Sequence, residues 1–142
     1  MRIIEKAVYV GPSIYALFPV IRLDVDLGAL EAWPTKRLGA DFTNALLAIL
    51  PGLAEHGCSY GEPGGFLRRL EEDEGTWLGH VLEHVAIELQ NCAGEEVSFG
   101  KTRGTGKPGQ YHVVYEYEQA DVGLEAGKIA LEIINQCLSA EL

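Results

Sequence analysis

The chain has 142 residues, 47% of them hydrophobic and 23% charged, which is the size and make-up of one globular domain, so we expect a single domain over residues 1–142. It contains no apolar run long enough to span a membrane, so we expect neither a membrane span nor a secretory leader, and we expect a cytoplasmic location without membrane partners. The net charge of −10 disfavours nucleic acid as a partner, because phosphate binding needs clustered Lys and Arg, and it favours a cationic or mixed-charge ligand.

The first two predicted elements are strands. Residues 2–10 favour a strand over a helix, and in residues 20–27 apolar side chains alternate with charged ones, as in a half-buried strand. Gly11, Pro12 and Ser13 lie between these segments and are typical of a hairpin connection.

A helical period begins at Asp41, which is placed to cap the helix. One apolar stripe extends to Leu53, but Pro51 predicts a break near Leu50. Four glycines and a proline in residues 57–65 then indicate a loop, and a short helix is expected over residues 66–70.

Thr76 is the predicted cap of a third helix running to about residue 91, with Gly94 as its stop signal. Two strands are predicted next, at residues 97–99 and 111–117, separated by a Gly-rich loop at 100–109. An amphipathic helix over residues 122–138 follows. The order predicts an α+β fold, with helices packed on a mixed or antiparallel sheet of about four strands.

The third helix carries the chain's most informative motif, His80-x-x-Glu83-His84. At about 100° per residue, the two imidazoles and the carboxylate share one quadrant of the helix, away from its apolar stripe. Histidines at this spacing can bind one Zn²⁺, and a glutamate between them can act as general base.

A catalytic zinc needs a third protein ligand, for which the sequence offers Glu88, one turn along the helix, or Glu116 on the last strand. The pattern alone does not choose between them. The alternative interpretation of His80, Glu83 and His84 is a solvated or hydrogen-bonded helix face without a metal.

Other candidate groups are weaker signals. His56 and Cys58 form a possible ligand pair beside the Gly-rich loop, although a structural role is favoured for them. The cysteines, three in number and widely spaced, predict neither a disulfide framework nor a thiolate cluster. Lys101 and Arg103 either position a substrate carboxylate or solvate a loop.

Long motifs, matched in order, make the whole chain resemble the N-terminal domain of the cyanophycin synthetase family. They are Glu55-His56-x-Cys58-Ser59-x-Gly61, Gly64-Gly65-Phe66, Gly75-Thr76-Trp77-x-Gly79-His80-Val81-x-Glu83-His84-Val85-Ala86-x-Glu88-Leu89-Gln90, Phe99-Gly100-Lys101-Thr102-Arg103 and Val113-Val114-x-Glu116-Tyr117. That family polymerises aspartate and arginine with ATP, using ATP-grasp and Mur-ligase-like modules that the 142 residues do not include. The chain is therefore not expected to be a ligase by itself.

The resemblance implies two roles for such a domain: holding the polymer, and, in some members, a metallopeptidase-like site that cuts cyanophycin into primers. We therefore predict a zinc-dependent hydrolase of the cyanophycin backbone, with His80 and His84 as ligands and Glu83 as base. Its expected partners are the polymer and, in a longer protein, the other synthetase modules. The rival hypotheses are a non-catalytic cyanophycin-binding module and a structural domain that docks on those modules through an apolar patch.

Overall fold

A computed structural model gives the fold and describes residues 1–58 and 62–139. Residues 59–61 of the predicted Gly-rich loop lie outside this part of the chain. The strands are β1 (Arg2–Tyr9), β2 (Val20–Asp26), β3 (Gly100–Gly104) and β4 (Gln110–Glu116). The helices are α1 (Thr35–Leu38), α2 (Ala40–Ile49), α3 (Gly65–Glu71), α4 (Leu78–Cys92) and α5 (Ala120–Ser139), and two 3₁₀ helices span Gly28–Ala32 and Pro51–Glu55.

The four strands form one sheet in the order β1-β2-β4-β3, and every neighbouring pair is antiparallel. In the centre of the sheet Ile21 pairs with Tyr115 and Leu23 with Val113. These apolar side chains point to the face that the helices cover, since alternate residues of a strand face opposite sides. The predicted α+β fold is confirmed, with the antiparallel form of the sheet.

Helix α4 lies at the centre of the molecule, packed against α5, β3 and β4. Its apolar residues join the main core, and the opposite side of the helix is covered as well, because Glu83 and His84 are also buried. The predicted motif face is therefore neither part of the apolar stripe nor open to solvent.

The ends of α4 differ slightly from the prediction. Trp77 is the N-cap residue, and Thr76 lies one position too early, so its hydroxyl contacts the His80 ring instead of capping the helix. Gly94, with φ +95°, follows the C-terminal turn, and the predicted stop is confirmed.

Two further predictions on the elements are wrong in detail. Asp41 is not a cap, because α2 begins at Ala40 after Gly39. Its carboxylate lies in the first turn of the helix, where it interacts favourably with the positive end of the helix dipole. Residues 97–99 do not form a strand, because the Glu116 carboxylate accepts the backbone N–H groups of Ser98 and Phe99, and the third strand begins only at Gly100.

Other elements follow the predicted periods. The break at Pro51 is confirmed by the end of α2 at Ile49, and the predicted short and last helices correspond to α3 and α5. No helix in the described part of the chain combines the length and apolar character needed to cross a bilayer.

Candidate metal centre

The imidazole rings of His80 and His84 on α4 lie close together. The Nε2 atoms of His80 and His84 lie 3.1 Å apart, because the two residues are one helical turn from each other. Glu83 Oε2 lies 3.7 Å from the first nitrogen and 3.5 Å from the second. The structure thus brings the three residues of the predicted motif together around one small volume.

Cys58 adds a sulfur atom to this cluster. Its Sγ lies 3.6 Å from His80 Nε2, and one ligand atom from each of Cys58, His80 and His84 lies within 4.8 Å of the other two. Two nitrogens and one sulfur form a donor set that suits Zn²⁺, and a catalytic zinc site has three protein ligands and one open position. The residues present therefore fit the predicted metal, with Cys58 as the third donor.

Packing and hydrogen bonds orient the two rings. The Phe66 ring of α3 stacks on His84 with the ring centroids 4.0 Å apart and an interplanar angle of 17°. The Thr76 hydroxyl lies 3.1 Å from His80 Nδ1, which leaves Nε2 of that ring directed at the cluster. Such contacts outside the ligand set are what hold ligand rings in a metal-binding geometry.

Glu83 is the most enclosed of the acidic groups here, with only 4% of its surface exposed. Thr102 of β3 donates a hydrogen bond of 3.2 Å to its Oε1. Burial raises the pKa of Glu83 to about 7, and this hydrogen bond partly opposes the rise because it stabilises the ionised form. A carboxyl group titrating near neutral pH can both take and release a proton.

The two histidines are held in their neutral form. Burial lowers the pKa of His80 to about 4, and the positive charge of Arg69 contributes to the decrease. Burial also lowers the pKa of His84 to about 2, with added effects from His80 and His56. Neutral imidazole is the form that binds a metal.

The two residues that the sequence offers as third ligand lie elsewhere. Glu88 Oε1 is 2.9 Å from Nε2 of His56, whose Nδ1 is in turn 3.1 Å from Nδ1 of His84, so this carboxylate is linked to the cluster through the His56 ring. Glu116 shares the outer face of β4 with His112, opposite Tyr115, and its carboxylate accepts backbone N–H groups. Neither belongs to the Cys58–His80–His84 group.

The cluster lies in a cavity of about 740 Å³. Besides the donor residues and Glu83, its lining includes two cations, Arg69 and Lys101, and two aromatic residues, Trp77 and Tyr111. Lys101, one of the two cations predicted either to bind a substrate carboxylate or to solvate a loop, thus lines the cavity. Arg103, two residues further along β3, is exposed and does not line the cavity.

The sequence favours a structural role for Cys58 and His56, which the structure brings next to His80 and His84 respectively, and it does not point to Arg69, which lines the cavity. The His-x-Cys pair was the available signal, but a pair of residues beside a loop does not reveal which distant helix it contacts. For Arg69 the signal is its position on α3, three residues after the ring that stacks on His84. Residues three apart lie on the same side of a helix.

Comparison with known proteins gives one consistent match. The model of the family described as cyanophycin synthase-like N-terminal domain matches residues 22–139. A cyanophycin synthetase from Geminocystis herdmanii (strain PCC 6308) is 38% identical over 141 residues, which cover 98% of this chain and 16% of that protein. Those from Synechocystis sp. (strain ATCC 27184 / PCC 6803 / Kazusa) and Trichormus variabilis (strain ATCC 29413 / PCC 7937) are 40% and 41% identical over 135 residues, 94% of this chain and 15% of each relative. The chain spans only about a sixth of the length of these curated relatives.

Proposed function

Because this chain belongs to the family of cyanophycin synthase-like N-terminal domains, we propose that it binds cyanophycin and hydrolyses its backbone at a zinc site, producing short chains that prime further synthesis. The observation that carries the proposal is the cluster of Cys58, His80 and His84 with Glu83 beside it, inside a cavity. A domain used only to hold the polymer has no need of this donor set.

The cavity suits a polymer that carries both guanidinium and carboxylate groups. Arg69 and Lys101 offer positive charge to the carboxylates. The faces of Trp77 and Tyr111 can receive guanidinium groups by cation–π contact, and both rings are held by Glu31, through its backbone oxygen and its carboxylate respectively. Negative charge on the surface beside the cavity provides a further match to the guanidinium groups of the polymer.

An acidic segment lies next to the cavity. Glu72, Asp73 and Glu74 line an adjacent hollow together with Arg69 and Trp77. With the net charge of −10, this segment favours the approach of arginine side chains along the polymer. A chain crossing both hollows would therefore meet positive charge near the donor cluster and negative charge beside it.

His80, His84 and Cys58 would hold the metal. Zinc, when bound, supplies a Lewis acid that polarises the scissile carbonyl and lowers the pKa of water. Glu83 Oε2 takes a proton from the attacking water as the new C–O bond forms, and returns it to the amide nitrogen as the C–N bond breaks. Thr102 holds this carboxylate in place through its other oxygen.

The test is to incubate the purified chain with soluble cyanophycin, with added zinc or with a chelator, and to follow polymer length on gels. We expect shortening with zinc and none with chelator. Glu83→Gln should bind both polymer and zinc but cleave about 10²–10⁴-fold more slowly, the range lost with a general base. Glu125→Gln, an exposed change on α5, serves as the matched control with unaltered cleavage.

Two results would overturn the proposal. Polymer binding without any shortening, equally in wild type and Glu83→Gln, would identify a non-catalytic cyanophycin-binding module. Absence of polymer binding would instead favour a structural domain.

A further inference from the structure

We propose that Glu88 is a positioning residue for the metal centre: acting through His56, it fixes His84 in the tautomer that carries hydrogen on Nδ1, so that the Nε2 lone pair faces the donor cluster. The inference deepens the proposed function and rests on its metal site. It gives a role to the one carboxylate of α4 that the proposed reaction does not use.

The first link joins Glu88 to His56. Their Oε1 and Nε2 atoms lie 2.9 Å apart, with 14% and 12% of the respective side chains exposed. An ionised carboxylate can only accept hydrogen bonds, so the hydrogen of the His56 ring must be on Nε2. In neutral His56 this leaves Nδ1 as an acceptor.

The second link joins the two rings. Nδ1 of His56 lies 3.1 Å from Nδ1 of His84, and a hydrogen bond between them needs one hydrogen. Since His56 already carries its hydrogen on Nε2, His84 must donate from Nδ1. The lone pair of its Nε2 then points to the cluster, where His80 Nε2 lies 3.1 Å away.

A charged His56 would reverse this arrangement. Its second hydrogen, on Nδ1, would need His84 Nδ1 as acceptor, and the hydrogen of His84 would move to Nε2, where it would block the metal. With His84 bound to the metal through Nε2, the single hydrogen between the two rings comes from His84 Nδ1, and the His56 tautomer with hydrogen on Nε2 is the one that accepts it while donating to Glu88.

Close packing holds the Glu88 carboxylate at His56. A Cβ on Gly52 would lie 2.0 Å from Glu88 Oε2, so the 3₁₀ helix Pro51–Glu55 accommodates this carboxylate only with glycine at position 52. The Cys92 thiol donates a weak hydrogen bond of 3.7 Å to the same oxygen. The 3₁₀ helix thus supplies the space for Glu88, and His56 follows immediately after it.

Among the described residues, no comparable pair of partners sets the tautomer of His80. Its Nδ1 faces the Thr76 hydroxyl at 3.1 Å, and a hydroxyl can either donate or accept. That contact orients the ring without selecting its tautomer. Of the two proposed histidine ligands, His84 is therefore the one whose hydrogen position is set by a carboxylate acting through a second ring.

The first experiment measures zinc affinity by competition with a chromophoric chelator. Glu88→Ala should weaken zinc binding about 10–100-fold, the usual loss when an outer partner of a ligand is removed. Gly52→Ala should weaken it in the same direction, because the added methyl group displaces the carboxylate while every ligand remains. Glu88→Gln keeps an acceptor oxygen and should bind close to wild type.

Matched controls separate this role from charge and from folding. Glu125→Ala removes one exposed negative charge from α5, and Gly11→Ala adds a methyl group where nothing lies within 4 Å. Both should bind zinc as wild type does. Wild-type affinity in Glu88→Ala and Gly52→Ala, with their melting temperatures lowered, would show a merely structural role and overturn the inference.

A second readout needs no metal. Long-range ¹H–¹⁵N spectra of the metal-free wild type should show hydrogen on Nδ1 of His84 and on Nε2 of His56, and Glu88→Ala should lose this preference. Hydrogen on Nε2 of His84 in wild type would overturn the inference. If the wild type binds no zinc, the proposed function is wrong. The spectra of the metal-free protein would still show which tautomer His84 adopts.

Discussion

At the scale of single residues, the strength of the proposed zinc site depends on Cys58. Its sulfur lies 3.6 Å from His80 Nε2, and thiolate is a favoured zinc ligand. We expect Cys58→Ser to weaken zinc binding by more than the roughly 10–100-fold that loss of an outer partner costs, because a ligand itself is replaced by a poorer donor. Chelator competition measures this directly.

Glu116→Gln is the matched comparison, because the sequence offers Glu116 as an alternative ligand. Its Oε1 accepts hydrogen bonds of 2.9 Å and 3.1 Å from the backbone of Ser98 and Phe99, which a glutamine oxygen can also accept. Its zinc affinity should equal that of wild type. Unchanged affinity in Cys58→Ser, or a large loss in Glu116→Gln, would contradict Cys58 as the third ligand.

At the scale of elements, the close approach of β3 to α4 fixes the position of Glu83, the proposed general base. A Cβ on Gly100 would lie 2.6 Å from Cγ of Glu83 and 2.9 Å from Cδ1 of Ile87. Gly100→Ala should therefore displace Glu83 and slow cleavage, while zinc affinity stays near that of the wild type. Overpacking should also lower the free energy of unfolding by about 1–3 kcal/mol. Cleavage assays and denaturant unfolding measure the two effects.

Gly104→Ala tests the same strand without the contact, since a Cβ on Gly104 would meet nothing within 4 Å. It should cleave as wild type does. Equal cleavage rates for Gly100→Ala and Gly104→Ala would show that the packing of β3 does not control Glu83.

Helices and strands with a sustained hydrophobic pattern were predictable from sequence, whereas β3, which lacks such a pattern, was not. The stripes of α4 and α5 and the alternation of β2 are local patterns that burial on one or both sides produces. Strand β3 has two glycines in five residues and little β-propensity. Pairing with β4 across the turn makes it a strand, and the Glu116 carboxylate excludes residues 97–99 from it.

At the scale of the whole molecule, the candidate site is half local and half long-range. His80, Glu83 and His84 were identifiable because helical geometry alone brings them together. Cys58 lies 22 residues before His80, and its arrival depends on how the 3₁₀ helix Pro51–Glu55 packs on α4. No spacing rule in the sequence encodes that contact, so the proposed third donor could be identified only from the fold.

Because the donors come from separate parts of the chain, zinc binding should stabilise the whole fold. A ligand that binds only the folded state at 100 times its Kd adds about 2.7 kcal/mol. For 142 residues this corresponds to a rise in Tm of roughly 6–12 °C, and a chelator should reverse it. Differential scanning calorimetry with and without zinc measures the rise.

The variants separate stabilisation from catalysis. Glu83→Gln should show the full zinc-dependent rise in Tm, because Glu83 acts on a proton and is not a proposed ligand. His84→Ala removes a donor that α4 contributes and should show little rise, whatever its own starting Tm. Equal rises in wild type and His84→Ala would place zinc elsewhere on the protein, and loss of the rise in Glu83→Gln would make that carboxylate a ligand instead of a base.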